Sequence, residues 1–240
     1  MSAQTPLQTA TPLEVLDWTY KRFARPVLVA SFQAESGVLI DMATRVTDQV
    51  EVITLDTGRL PQETFEVIDA FRERYPSLRV RIESPDAADL RRLTDEHGAN
   101  PFYRSVELRR LCCDVRKTRP LERALQGHDA WITGLRRDQG ASRADTPVVA
   151  DDAAHGGIAK IAPLATWTRE QVWDYIRERN IPYHPLYESS YTSIGCAPCT
   201  RPTAPGEDER AGRWWWELDE VKECGLHWTP DGRPERRATS

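Results

Sequence analysis

Apolar residues fall into short runs separated by polar turns, and the runs alternate between helical and extended spacing. Thr11, Pro12 and Glu14 form an N-cap, a first helical residue and the acidic arm of a capping box, opening a helix that runs to Phe23. The brief apolar run 27–30 predicts a strand ending in the polar turn 31–36, after which Val38, Leu39, Ile40, Met42 and Ala43 suit a helix. The pattern returns as a strand over 50–55, a turn at Asp56, Thr57 and Gly58, a helix over 61–75 and a strand over 78–82. Helical stretches follow over 86–96 and 106–125, the second divided at Pro120, which has no backbone N–H to donate. Strands are expected over 130–133 and 158–164, and Thr168 with Gln171 caps a helix that reaches Asn180. Alternation of this kind implies parallel β-α-β units, so the expected fold is α/β, a parallel sheet flanked by helices.

After Tyr187 the regular pattern stops. The chain from Ser189 reads as loop, with Pro198, Pro202 and Pro205, except for a short helical candidate over 210–222. Beyond Thr229 it is polar enough for disorder. Loops carry chemistry more often than cores do, which directs attention to this part.

Composition narrows the classes. Forty per cent apolar and 29% charged residues suit a soluble globular protein. No run approaches the roughly 18–20 apolar residues of a membrane span. The polar N-terminal residues 1–10 lack a secretory pattern, so a cytoplasmic protein with no membrane partner is expected. A formal charge of −5 argues against a general nucleic-acid binder. Arginines nevertheless cluster at 136–143 and 201–213, where a local positive field could hold a small anion.

Five cysteines without an export signal make a disulfide framework a poor expectation. Cys112-Cys113 and Cys196-x-x-Cys199 offer two thiol pairs to one inorganic centre, and thiolate-only sites suit both zinc and iron–sulfur. Buried packing and a structural turn would explain the same residues without any metal. Cys224 stands apart in a polar segment, Glu223 to His227, that is badly placed for a core and suits a reactive thiol. Ser31 to Ser36 lies between strand and helix, where backbone N–H groups and hydroxyls can hold an anion, although serine-rich turns are also ordinary caps. Arg136 and Arg137 follow a strand, and Lys117 would share a helical face with Cys113. Trp214, Trp215 and Trp216 cannot all face one core, so a ring is left to cover a substrate, a cluster or a partner.

These residues fall into motifs that resemble the assimilatory adenylyl-sulfate reductases. They are Cys112-Cys113 with Arg116-Lys117 and Pro120-Leu121, Ser193 with Cys196, Cys199 and Arg201-Pro202, Gly206 with Asp208, Arg210, Arg213 and Trp214-Trp215-Trp216-Glu217, and Lys222 with Cys224 and His227. Leu55 to Leu60 with Glu63-Thr64 also matches, and the likeness runs from about Ala30 to His227. The resemblance implies an adenine-nucleotide α-hydrolase-like fold with a modified PP-loop at Ser31 to Ser36. It implies a 4Fe-4S cluster on Cys112, Cys113, Cys196 and Cys199, and Cys224 as nucleophile. Substrate contacts are expected at Ser31, Ser36, Thr57, Gly58, Lys117, Arg136, Arg137, Arg210 and Arg213. Phe32 and Gln33 replace the PP-loop glycines of ATP-cleaving relatives, which fits a smaller anion than triphosphate.

The activity so implied is reduction of adenosine 5′-phosphosulfate to sulfite and AMP through a cysteine S-sulfonate, resolved by thioredoxin or glutaredoxin, in sulfate assimilation. The main domain is expected over 11–200 and a C-terminal segment over 201–240, with a homo-oligomer possible. Alternatives are a reductase of the 3′-phosphorylated nucleotide or of both, a PP-loop tRNA-thiolating enzyme, and a zinc-binding interaction module.

Overall fold

Thr11 caps the first helix as expected: its side chain accepts from Glu14 N–H while Glu14 returns a bond to the Thr11 N–H at 2.7 Å. That helix, α1 (Pro12–Arg22), begins a computed structural model that describes residues 7–217. It leads into β1 (Pro26–Val29), α2 (Ala34–Thr44), β2 (Glu51–Leu55), α3 (Gln62–Arg74), β3 (Arg79–Glu83) and α4 (Ala87–His97). Then come α5 (Val106–Cys113), α6 (Arg119–Leu125), β4 (Ala130–Ile132), β5 (Val149–Asp152), β6 (Ile158–Ile161) and α7 (Arg169–Arg179).

The six strands form one sheet in the order β3-β2-β1-β4-β6-β5. All neighbours are parallel except β5, which runs antiparallel to β6 at the edge. Side chains alternate between the two faces. Leu28, Val52, Ile132 and Ile161 pack with α1, α2, α3 and α7 on one side. Val27, Ile53 and Trp131 meet Leu121, Ala124 and Leu125 of α6 on the other. Burial on both faces explains why the central strands read as continuous apolar runs. At the opposite edge β3 carries Arg79, Arg81 and Glu83, charges that discourage pairing with another chain.

Three expectations need correction. The antiparallel strand β5 was not expected, because its second half is Asp151-Asp152 and carries no apolar alternation. Pro120 does not break the helical path. Asp114–Thr118 widens instead into a π-turn, with Arg119 N–H reaching back to the Asp114 carbonyl, and Pro120 falls in the first turn of α6 where its missing N–H costs little. The helical candidate over 210–222 is not helical across its described part, 210–217. There Arg213 bridges to Thr200, and Trp214 sits at φ +43°, a left-handed value that no helix accommodates.

Candidate active site

The carboxyl ends of β1, β2 and β4 meet around a pocket floored by Ala30, Thr54, Thr57, Thr133 and Gly134. The chain leaves β1 toward one side of the sheet and β4 toward the other, the place where open α/β sheets bind ligands. Segment 31–36 turns from β1 into α2 along one wall. Ser31 N–H donates to Ser36 Oγ at 3.1 Å, and Gln33 Nε2 donates to Ser31 Oγ at 3.1 Å. Gln33 Oε1 accepts from Ile194 N–H at 2.7 Å, tying this turn to the segment just before Cys196. Phe32 holds φ +55°, a conformation most side chains avoid, and its buried ring packs edge-on against Phe71 at 5.6 Å. Gly134 allows the close approach of β4 and α2, since a Cβ there would stand 2.8 Å from Glu35 Cβ.

Beside this pocket lies a second, apolar centre. Cys112, Cys196 and Cys199 are buried with Leu93, Phe102, Val115 and Trp214, and half-buried Cys113 packs against them. The end of α5 presents the first pair, and a turn beginning at Cys196 presents the second. Thr57 Oγ1 lies 3.2 Å from Cys196 Sγ, and the Thr57 carbonyl accepts from Arg116 Nη1 at 2.6 Å, so the end of β2 is stitched to both thiol segments.

The thiols differ in acidity. Burial pushes Cys199 up to about 12, with Cys196 and Cys112 adding to the rise. Burial also raises Cys112, against the pull of Arg116. Burial works against ionisation of Cys196 too, but Lys117, the Thr57 hydrogen bond, Arg213 and Arg116 together outweigh it and hold its thiol below the usual range. One thiolate is thus stabilised among neighbours that resist a second unless an added positive charge compensates.

The donors around the thiols bear on what this centre could hold. Arg116 Nε and Trp214 Nε1 are buried N–H groups without a hydrogen-bond partner, and Trp214 packs directly among the cysteines. Orphaned donors beside four thiols fit a group rich in sulfur acceptors. Among the described residues no three His, Cys, Asp or Glu are arranged to hold a single metal ion. The donor set is all thiolate, which suits an iron–sulfur cluster.

Lys117 and Arg213 join the two centres. Both line the pocket, and both act electrostatically on Cys196 and Cys199. Arg213 lies so close to Gly195 that a Cβ there would meet its Nη2 at 2.2 Å, and its buried Nε has no partner. Arg210 lines the same wall.

Of the residues singled out from the sequence, Ser31, Ser36, Thr57, Lys117, Arg210 and Arg213 line the pocket. Gly58 lies outside its wall, in a turn at φ +67° whose N–H donates to Asp56 Oδ1 at 2.8 Å. Arg136 and Arg137 also lie outside it. Arg136 is fully buried and engaged by Glu35 at 2.9 Å, by Asp138 and by Glu209. Arg137 donates to the Thr146 carbonyl at 2.9 Å and to Gln8 at 3.1 Å. Cys224 and His227 lie outside the described residues. Residues the sequence did not mark include Glu35, Gln139 and Glu209, which line the pocket together with Arg143 from the 136–143 arginine cluster. Burial raises the Glu209 carboxyl, and nearby Glu35 adds to the rise. Their one available signal was proximity in sequence to the serine turn and to the two arginine clusters.

Fold and site together define an α/β protein whose strand-end pocket, lined by Lys117, Arg210 and Arg213, abuts a four-thiol centre. Residues 25–202 match the phosphoadenosine phosphosulfate reductase domain, and the chain belongs to that family. It is 45% identical to an adenosine 5′-phosphosulfate reductase of Allochromatium vinosum, over 92% of this chain and 86% of that one. A protein of the same name from Agrobacterium fabrum is 47% identical over 85% of this chain and 77% of its own length. Among solved structures, a phosphoadenylyl-sulfate reductase from Candida auris, a phosphate complex, superposes with TM-score 0.69 at 27% identity, covering 82% of this chain and 94% of that one. The FMN adenylyltransferase of Candida glabrata, at 14% identity and TM-score 0.58 over 90% of this chain and 79% of its own, shares the fold alone. No helix among the described residues is long and apolar enough to cross a membrane.

Proposed function

We propose that this chain is a thiol-dependent adenosine 5′-phosphosulfate reductase, with Cys224 as nucleophile and a dithiol protein of the thioredoxin or glutaredoxin class as reductant. The observation that supports the reading is the placement of Lys117 and Arg213, which line the strand-end pocket and also act on Cys196 in the thiol centre beside it. The curated relatives bear the same activity in their names.

The phosphosulfate binds at the Lys117, Arg210 and Arg213 end of the pocket, where cations are matched to its oxygens. The Ser31–Ser36 turn and the start of α2 hold the rest of the nucleotide. The Cys224 thiolate attacks the sulfate sulfur, the sulfur–oxygen bond to the nucleotide breaks, and AMP departs with the electron pair. Cys224 then carries an S-sulfonate. A thiolate of the reductant attacks Cys224 Sγ and expels sulfite. The reductant's second thiol resolves the mixed disulfide, so its two thiols supply the two electrons. Cys112, Cys113, Cys196 and Cys199 would hold a 4Fe-4S cluster, whose net negative charge would hold Lys117 between itself and the substrate.

The test is sulfite release from adenosine 5′-phosphosulfate and from its 3′-phosphorylated analogue, with thioredoxin, on protein of measured iron and sulfide content. We expect sulfite from the first nucleotide and a single S-sulfonate on the Cys224 peptide when thioredoxin is withheld. Cys224→Ser should bind nucleotide yet take no adduct. Sulfite from Cys224→Ser, or an adduct on another cysteine, would refute the mechanism; colourless protein holding one zinc would refute the cluster.

A further inference from the structure

Arg213 is only 5% exposed, yet among the described residues no carboxylate pairs with it. Arg136, also buried, meets three. Keeping a guanidinium out of water without a counter-charge is costly, and an anion entering the pocket offsets that cost. What holds the arginine there is visible in its surroundings.

Segment 212–214 lies beside 199–201, with Arg201 N–H donating to the Gly212 carbonyl at 3.0 Å and Trp214 N–H to the Cys199 carbonyl at 3.2 Å. A Cβ on Gly212 would collide with the Arg201 carbonyl. This pairing sets the Arg213 backbone against the turn that carries Cys196 and Cys199. Its side chain lies across Gly195: a Cβ there would stand 2.5 Å from Arg213 Cζ and 3.0 Å from Nη1, with Nη2 nearer still. Nη1 donates to Ser193 Oγ at 3.4 Å, and the Trp214 ring centroid is 4.8 Å from Cζ. Ser193 and Gly195 line the pocket together with Arg213. Neither Gly195 nor Gly212 has a positive φ, so room for a neighbour, and not a left-handed backbone, accounts for both.

We propose that Gly195 is a positioning residue: its bare backbone is the floor of a slot that holds the Arg213 guanidinium at the pocket wall for the phosphosulfate. The inference rests on Arg213 as a substrate arginine, and adds how a buried cation without a carboxylate is kept in place. Gly195→Ala fills the slot and pushes the guanidinium aside, since the end of a side chain yields more readily than the backbone beneath it.

The experiment uses the full chain and three variants: Gly195→Ala, Arg213→Ala and the two together. Iron per chain is measured, with dissociation constants for two probes. ADP carries a β-phosphate in place of the sulfate and has no sulfur to transfer; adenosine has neither group. Gly195→Ala and Arg213→Ala should each weaken ADP at least about tenfold, the loss expected for charge-assisted bonds to phosphate, and leave adenosine and iron within about twofold. Combining them should weaken ADP no further than Arg213→Ala alone, because the side chain that the new methyl displaces is gone. Wild-type ADP affinity in Gly195→Ala overturns the proposal. So does a further loss of about tenfold when Gly195→Ala is added to Arg213→Ala. Iron that falls in step with ADP affinity in Gly195→Ala also overturns it, because the glycine then serves the thiol turn itself. Should Gly195→Ala alone fail to fold, the combination decides: a double variant that folds and matches Arg213→Ala supports the slot, and one that also fails to fold overturns it. Failure of the underlying reading shows elsewhere: wild-type chain that binds ADP no tighter than adenosine, or Arg213→Ala with wild-type ADP affinity, removes Arg213 from the phosphosulfate.

Discussion

Replacing Gly134 by alanine adds one methyl group where two backbones already touch. The new Cβ would stand 2.8 Å from Glu35 Cβ, with Glu35 C and Ser36 N each 3.7 Å away. That is about 1 Å short of ordinary carbon contact. Glu35 cannot rotate clear, since the obstructing atom is the root of its side chain and its carboxylate is held by Arg136 at 2.9 Å and Gln139 at 3.0 Å. The start of α2 must therefore withdraw from β4. Overpacking of this kind costs about 1–3 kcal/mol. At tenfold per 1.4 kcal/mol, the folding equilibrium should fall by about 5- to 150-fold. The displaced segment is the wall of the pocket, so AMP affinity should fall as well. Iron content should hold, because the four cysteines belong to a separate apolar cluster. Urea unfolding and AMP titration measure the two effects. Gly98→Ala is the control: φ is +77° with nothing within 4 Å of an added Cβ, so it meets only the backbone cost. That cost is about 1–2 kcal/mol, with AMP binding unchanged. Wild-type urea midpoint and AMP affinity in Gly134→Ala would show that the close approach does not shape the pocket.

Three further outcomes are expected. Serine at Cys112, Cys113, Cys196 or Cys199 should lose iron together with activity, and full iron retention in any two of the four would remove the ligand assignment. Lys117→Ala should keep iron and lower kcat by about 10²–10³, the range for losing one preorganised charge contact; iron loss equal to that of the cysteine variants would make Lys117 structural. His184 is fully buried, its Nδ1 accepts from Leu186 N–H at 3.3 Å, and its Nε2 lies 3.0 Å from Thr64 Oγ1, an arrangement for a neutral ring. Burial lowers its pKa from the ordinary 6.5, so the unfolded chain binds the proton first and stability should fall as pH drops below 6.5; the same acid slope in His184→Gln would assign it to other groups.

Much of this molecule was legible before any tertiary structure. The capping boxes at Thr11 and Thr168 mark the starts of two helices because their chemistry is local, each closed by bonds within three residues. The central strands announced themselves because both faces of a parallel sheet are buried, leaving little room for polar positions. The cysteine motifs, Lys117 and the arginines Arg210 and Arg213 were recognisable as residue types at fixed spacing, and the two cysteine pairs and Lys117 fall within residues 25–202, which match the reductase domain.

What remained hidden depends on partners distant in sequence. Arg136 and Arg210 look alike along the chain, yet one is buried against Glu35 and Glu209 while the other lines the pocket. β5 holds its place by pairing with β6, without an alternation of its own. The span 210–217 has the composition of a helix, but Arg213 is taken up by Thr200 and Trp214 is turned into the cysteine cluster. The buried ion pair between Arg109 and Glu217 spans 108 positions and had no local sign at all. Local hydrogen bonding and apolar periodicity act over a few residues and can be read from sequence alone. Which guanidinium is buried among carboxylates, and which lines a pocket, is settled only when the packed chain has brought distant segments together.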